Sequence, residues 1–468
     1  MPHFLIEMTQ TIHRKLNESS AARWTVLFIV SVVMMMGYVV AKEMSPLQYF
    51  LELPQSEGGL GWSSSEFGLF IGSRGFFNVY LLMLFVSGVI LDKTGVRFAG
   101  MLSCVLMLVG TAIDYYAIAI ASPVPATEVT FPTLGLDHTM VKDQVLMSAF
   151  GYAVFGIGYE LCGITVSKVI VKWFSGKEMA LAMGIQVALA RFGTALALLG
   201  GPFLAKYYQL STPILVGLFS VGLAVVIYLI YCAMDRKLDK ASDADNNEEK
   251  KVEEFSFKGL LTTLRSPGFW LITLLCMLYY SALYPFLDFA TKLMISKYGV
   301  SPEWAGGISS ILPFTSIILT PLFGGVYDRV GNGASIMILG TAMLTVVLMV
   351  FALPLHSSLL AVALMLILGV AFSLLPSVLW PAVPKIVPEQ QLGSAYSIIY
   401  YIQNIGLMLV PIIIGNVLDK NTVNGVVDYT AAMWVFSAIG AMAIVVSAFL
   451  LVLDKKYHYG LQSPNVKD

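Results

Sequence analysis

Gly88-Val-Ile-Leu-Asp92-Lys93-Thr-Gly95 and Gly324-Gly-Val-Tyr-Asp328-Arg329-Val-Gly331 are two versions of one octapeptide, set 236 residues apart in a chain of 468. Each follows one long apolar run and precedes another, so each reads as a tight charged turn between two helices. A second match, Arg191-Phe-Gly193 with Asn404-Ile-Gly406, has an offset of 213. The difference of 23 is close to the excess length of the 122–142 connection over its counterpart at 355–357. A chain that repeats at half its length is built from two similar halves.

The apolar runs around these turns dominate the composition. Hydrophobic residues make up 57% and charged residues 12%, with a mean hydropathy of +0.79, against about 25% charged in soluble domains. A water-soluble enzyme, a secreted disulfide scaffold and a disordered chain are excluded. The 28 basic and 29 acidic residues nearly cancel, so there is no basic field for nucleic acid. Cys104, Cys162, Cys232 and Cys276 lie singly in apolar runs and suggest neither a metal site nor a disulfide framework. None of the five histidines falls well inside an apolar run, which argues against a histidine proton relay.

A bilayer core of about 30 Å takes about 20 apolar residues per helix. That window gives twelve spans, near 23–41, 66–91, 99–121, 143–171, 179–205, 212–234, 268–290, 304–327, 334–354, 358–384, 392–418 and 430–453. The expectation is an all-α membrane protein with two pseudo-symmetric six-helix bundles, 1–234 and 267–468. The charged stretch 235–266 reads as a solvated tether between them. No cleavable leader is expected, because the first apolar run is long enough to stay in the bilayer. Lys and Arg favour one set of loops by about three to one, which places both termini in the cytoplasm.

The repeated turn has a mechanical reading. Gly88 and Gly324 would let helices approach closely, while Asp92 and Asp328 could cap a helix or meet a cation. With Lys93, Arg97 and Arg329 they form the expected gating set at the cytoplasmic ends.

Ionisable groups inside spans are costly and mark function by default. Glu160 in span 4 lies 12 residues before Lys172, and Arg191 in span 5 lies 14 residues after Lys177. Both therefore sit roughly 18–21 Å above the cytoplasmic face on adjacent helices. They could bind a ligand or simply pair with each other. Lys168 is expected to snorkel to the headgroups. Arg74 is expected near the outer surface, turned outward or toward a ligand. Asp288 and Lys292, at i and i+4, read as a local pair. Tyr279 and Tyr280, Trp380, and Gln403 with Asn404 are polar-tipped groups deep in spans 7, 10 and 11, suited either to packing or to a ligand.

The stretches Phe155-Gly-Ile-Gly-Tyr-Glu160, Trp173-Phe-Ser-Gly-Lys-Glu178, Ala190-Arg191-Phe-Gly193, Tyr284-Pro-Phe286, Leu379-Trp-Pro381, Pro388-Glu-Gln-Gln-Leu-Gly-Ser-Ala-Tyr396 and Ile402-Gln-Asn-Ile-Gly-Leu407 resemble a branch of the major facilitator superfamily, the dipeptide carriers with lysosomal and bacterial members. The likeness runs from span 4 to span 11, and the repeated turn extends it to span 2. It implies a dipeptide carrier without a cofactor, with Glu160 and Arg191 among the binding groups. Arg74 departs from it, standing where the family has an uncharged aromatic. There is no acidic dileucine sorting signal and no Asn-x-Ser/Thr site in the outer loops, so a bacterial inner membrane is the expected location.

The residues fit that chemistry. Glu160 can take an α-ammonium, Arg191 can hold a carboxylate bidentately, and Gln403 and Asn404 in the other half can meet peptide groups. Uniport and proton coupling both fit. A rival reading clamps an organic anion between Arg74 and Arg191; another makes the chain a sensor that signals through 235–266.

Overall fold

The computed structural model describes residues 18–121, 126–131, 136–174, 178–243, 263–388, 391–423 and 425–464. Helices α1 (Ser20–Glu43) and α2 (Gln48–Glu52) form the first span. A broken second span contains α3 (Ser64–Ser73), α4 (Phe76–Tyr80) and the start of α5 (Met83–Ala119). Then follow α6 (Asp143–Phe174), α7 (Met179–Tyr207) and α8 (Thr212–Asp243). The second half consists of α9 (Pro267–Tyr298), α10 (Pro302–Val330), α11 (Gly333–Ala352), α12 (Ser358–Ile386), α13 (Leu392–Lys420) and α14 (Thr430–Tyr457). Among the described residues, eleven helices are long and apolar enough to cross a bilayer. The broken span makes twelve crossings. The two six-helix bundles are therefore present, and the chain is an integral multi-pass membrane protein.

Helix starts follow the local sequence. Ser63 and Glu66 form a reciprocal capping box at α3, Ser266 caps α9 just before Pro267, and Ser357 caps α12. These side chains serve backbone N–H groups that the helix leaves unpaired. Gly95 and Gly331 close the two copies of the octapeptide with φ of 76° and 72°, a conformation that β-carbon-bearing residues resist. The repeat is thus kept because the turn is the same.

Three features differ from the expected spans. The second is not one helix over 66–91. It breaks at Arg74-Gly75 and again at Leu82, which has φ of 53°. The connection at 122–142 carries a hairpin, β1 (Ala126–Phe131) against β2 (Leu136–Lys142), docked by the Lys142 N–H and ammonium on Glu66. The tether expected at 235–266 begins as helix, because α8 continues to Asp243, and 244–262 lie outside the described residues.

The start of α1, the end of α8 and the end of α14 lie on one face, here called basal; the opposite face is distal. At the distal half the bundles meet closely. Added β-carbons at Gly68 and Gly72 of α3 would lie 2.3 Å from the Pro411 carbonyl oxygen and 2.5 Å from that of Met408 on α13. Such approach is how small residues hold helices together in a bilayer.

Candidate functional site

Glu160 projects from α6 at the boundary between bundles. Asn404 of α13, in the opposite bundle, faces its carboxyl group, and Arg74 is the cation acting on it. Asn404 also donates from Nδ2 to the Tyr400 carbonyl at 3.0 Å, which fixes the amide. Arg74 is not near the distal surface as its distance from Asp92 suggests. Its guanidinium lies 5.5 Å from the centre of the Tyr159 ring, and its backbone packs against Gly156. The span begins at Ser64 and bends, so Arg74 is only ten residues, about 15 Å of helix, from the distal end.

Arg191 of α7 also turns toward the other bundle. Its Nη1 donates to Tyr284 Oη of α9 at 2.7 Å, and its guanidinium lies 4.0 Å from the centre of the Phe372 ring on α12. A ring face is a weakly held partner, worth about 0.5–2 kcal/mol. Among the described residues neither Glu160 nor Arg191 forms an ion pair, so they do not staple α6 to α7. Tyr38 interacts with both charges, and its ring centre lies 5.2 Å from that of Tyr159. Glu160, Arg191, Tyr38 and Tyr159 are all half-buried.

Trp380 Nε1 donates to Tyr280 Oη at 3.1 Å, and the Tyr280 and Tyr284 rings stack at 5.5 Å. This aromatic ladder supports the residue that holds Arg191. Tyr279 is elsewhere: fully buried, it donates its hydroxyl to the Ala371 carbonyl at 2.6 Å within its own bundle. Gln403 accepts a weak bond from Cys276 Sγ at 3.4 Å and also faces the bundle interior. The geometry thus gathers Arg74, Glu160, Arg191, Asn404, Tyr280 and Trp380. It adds Tyr38, Tyr159, Tyr284 and Phe372, which sequence reasoning does not single out. Tyr159 and Tyr284 lie in stretches that carry the family resemblance, and that is the available signal.

The distal face is closed by charges. Asp288 of α9 pairs with Lys42 of α1 and accepts from Ser45 Oγ; Lys292 pairs with Glu52 of α2. The expected local Asp288–Lys292 pair is therefore replaced by two pairs that cross the bundles. Helical spacing makes a partner possible, but the facing bundle supplies a better one. Lys206 and Glu303 form a third crossing pair at 2.8 Å. Asp419 of α13 also accepts the Ser64 and Ser65 N–H groups of α3, each at 2.8 Å.

The basal ion pairs between described residues stay within the first bundle. Lys168 bonds Asp92 of the basal turn at 2.6 Å, and both side chains are exposed. Arg97 bonds Asp239 at 2.7 Å, and Lys172 bonds both Asp235 and Asp239 at 2.8 Å. Lys93 and Arg329 are exposed, and Asp328 is half-buried. The close approach expected at Gly88 and Gly324 is not seen among the described residues, where an added β-carbon would meet nothing within 4 Å at either.

The sequence pattern of the Major Facilitator Superfamily matches residues 19–411 and 293–464. The chain is 31% identical over 286 residues to the lysosomal dipeptide transporter MFSD1 of Homo sapiens, a match covering 58% of this chain and 59% of the relative. It is 29% identical over 392 residues to the same-named protein of Danio rerio, covering 81% and 77%. The chain thus spans about three fifths of the human relative's length. Among solved structures, a point mutant of the nucleoside transporter NupG superposes with a TM-score of 0.67 at 13% identity, over 91% of this chain and 99% of that one. A POT family transporter in complex with a thioalcohol-conjugated peptide gives 0.65 at 14%, over 92% and 96%. With two six-helix bundles, a repeated basal turn and opposite charges at their boundary, the chain belongs to the major facilitator superfamily.

Proposed function

We propose that the chain carries dipeptides or similar small zwitterions by alternating access. The observation that carries this reading is Arg191: a half-buried guanidinium held by one hydroxyl and a ring face, with no acid paired to it among the described residues. Glu160 offers the opposite charge on the neighbouring helix. An extended dipeptide spans at most roughly 7 Å, and its ends need a cation and an anion held apart. The aromatic rings of Tyr38 and Tyr159 would line the space between. Peptide transport by the named relatives points the same way.

Each charged group of the first bundle faces a residue of the second: Glu160 faces Asn404, and Arg191 faces Tyr284. A ligand bound at both ends would therefore favour the state in which the bundles are together, which couples occupancy to closure. The organic-anion reading is weaker, because Glu160 lies near Arg74 and offsets one of its two cations. The bias of Lys and Arg supports cytoplasmic termini, and the outer loops without an Asn-x-Ser/Thr acceptor support a bacterial inner membrane.

A thermal-shift screen of the purified chain tests this. Dipeptides should stabilise it and dicarboxylates should not; the reverse pattern overturns the proposal in favour of the anion carrier.

A further inference from the structure

Arg74 stands where the second span breaks, at the boundary between the bundles. A β-carbon added at the next residue, Gly75, would lie 3.4 Å from the Asn404 carbonyl oxygen of α13. The stem of Arg74 lies on α6, where a β-carbon added at Gly156 would be 3.0 Å from its Cγ, and the guanidinium reaches the Tyr159 ring. Gly156, Tyr159 and Glu160 are spaced i, i+3 and i+4, so they share one face of α6. Arg74 therefore runs along the face that carries Glu160. It is half-buried, and among the described residues its guanidinium forms no ion pair and donates to no acceptor.

The charges at this boundary do not cancel. Lys42, Arg74 and Arg191 are the cations, and Asp288 and Glu160 are the acids. Lys42 and Asp288 neutralise each other. Glu43 and Asp114 lie inside the first bundle, where Glu43 packs on Gly217 of α8 and Asp114 accepts from Ser148. Two guanidinium groups thus share the single carboxylate of Glu160. A neutral dipeptide that gives its ammonium to Glu160 and its carboxylate to Arg191 takes up that acid and leaves Arg74 without a counter-charge. An uncompensated charge in such a place is costly.

We propose that Arg74 is a specificity residue that selects dipeptides whose first residue carries a carboxylate, aspartyl or glutamyl. The inference rests on the dipeptide reading above and adds to it the class of side chain. The position follows from connectivity: the first side chain leaves the same α-carbon as the ammonium. A peptide held at Glu160 therefore presents that side chain to the neighbour of Glu160, which is Arg74. The guanidinium can take the carboxylate through two parallel N–H donors. The bound peptide then carries one net negative charge, which matches the excess cation. A lysyl side chain in the same place would meet Arg74 with like charge.

Calorimetric titration of the purified full chain with Glu-Ala, Gln-Ala, Lys-Ala and Ala-Glu tests this. Glu-Ala should bind roughly ten- to more than a hundredfold tighter than its isostere Gln-Ala, and Lys-Ala should bind weakest. Ala-Glu, with the same net charge but its carboxylate on the second residue, should fall well below Glu-Ala. Glu-Ala no tighter than Gln-Ala overturns the inference, and so does equal affinity for Glu-Ala and Ala-Glu, which would mean that net charge alone is read. This ranking needs no variant. Arg74→Gln should bring the ratio of Glu-Ala to Gln-Ala affinity close to one, whereas Arg74→Lys, which keeps the charge but not the paired donors, should retain part of it. A ratio unchanged in Arg74→Gln overturns the assignment to Arg74. Binding of Gln-Ala without any preference for Glu-Ala rejects the side-chain class alone; binding of no dipeptide rejects the dipeptide assignment and this inference with it.

Discussion

Arg191 reaches out of its own bundle to the Tyr284 hydroxyl, 2.7 Å away, and forms no ion pair with Glu160, its neighbour in depth on the adjacent helix. The two charges are thus separately available. If they hold opposite ends of a dipeptide, Glu160→Gln should weaken binding of free dipeptides but cost N-acetylated ones little more. Arg191→Gln should do the same for C-amidated ones. Each lost charged hydrogen bond is worth about 1.5–3 kcal/mol, or roughly ten- to more than a hundredfold in affinity. Calorimetric titration of the four combinations checks this. Equal losses for blocked and free ends would show that neither residue reads the termini.

Tyr284→Phe removes the hydroxyl that positions Arg191 but keeps the ring. Affinity should fall by about 0.5–1.5 kcal/mol, a few-fold to about tenfold, with C-amidated peptides unaffected. Binding measured with free and amidated peptides separates this from general damage, which would lower both.

Lys42 and Asp288 form a buried pair between the bundles. Asp288→Asn leaves the ammonium without a counter-charge, and breaking a buried pair costs about 3–5 kcal/mol. The single variant should melt several degrees lower. The Lys42→Met, Asp288→Asn double variant should regain most of the loss, because no lone charge remains. Melting curves of the three proteins decide it; a double variant no better than the single would show that the pair's own attraction dominates.

Asp92 and Asp235 both meet lysines at the basal face, yet they should behave differently. Asp92 bonds an exposed Lys168, and such pairs contribute about 0–1 kcal/mol. Asp92→Asn should leave melting and affinity nearly unchanged and slow turnover if the turn acts as a gate. Asp235 is fully buried and accepts from Lys172, Trp173 and Tyr231. Asp235→Asn should lower the melting temperature clearly. Comparing turnover with melting for both variants distinguishes a gate from a structural anchor.

Gly68→Ala would place a methyl group 2.3 Å from the Pro411 carbonyl oxygen. Closure of α3 on α13 should be blocked, trapping the protein open at the distal face. Labelling of a cysteine introduced at Leu198, which packs on Gly306 across the bundles, should accelerate at least several-fold over the same cysteine without Gly68→Ala.

The twelve crossings are legible because a bilayer imposes length and apolarity on every span, and the two octapeptides locate equivalent turns in each half. Glu160 and Arg191 are legible as charges at one depth. Their partners are not, because Asn404, Tyr284 and Phe372 come from the opposite bundle and sequence offers no register between bundles. Asp288 and Lys292 mislead for the same reason: the nearest residue in the chain looks like the partner when the true one lies across the interface. Arg74 misleads because counting along a straight helix fails where the span is broken.

The contact of Asp419 with the first turn of α3 bears on how easily the transporter can recycle. Those two backbone N–H groups and that carboxylate are all groups that water serves nearly as well as they serve one another. When the bundles separate, each is rehydrated, so the exchange is close to isoenergetic. A distal seam made wholly of interlocked side chains would lose its packing contacts on opening with nothing to replace them. Closing part of it with a helix terminus and ions brings the two shapes of the protein nearer to balance, which is the condition for a ligand of modest affinity to drive the molecule from one to the other and back.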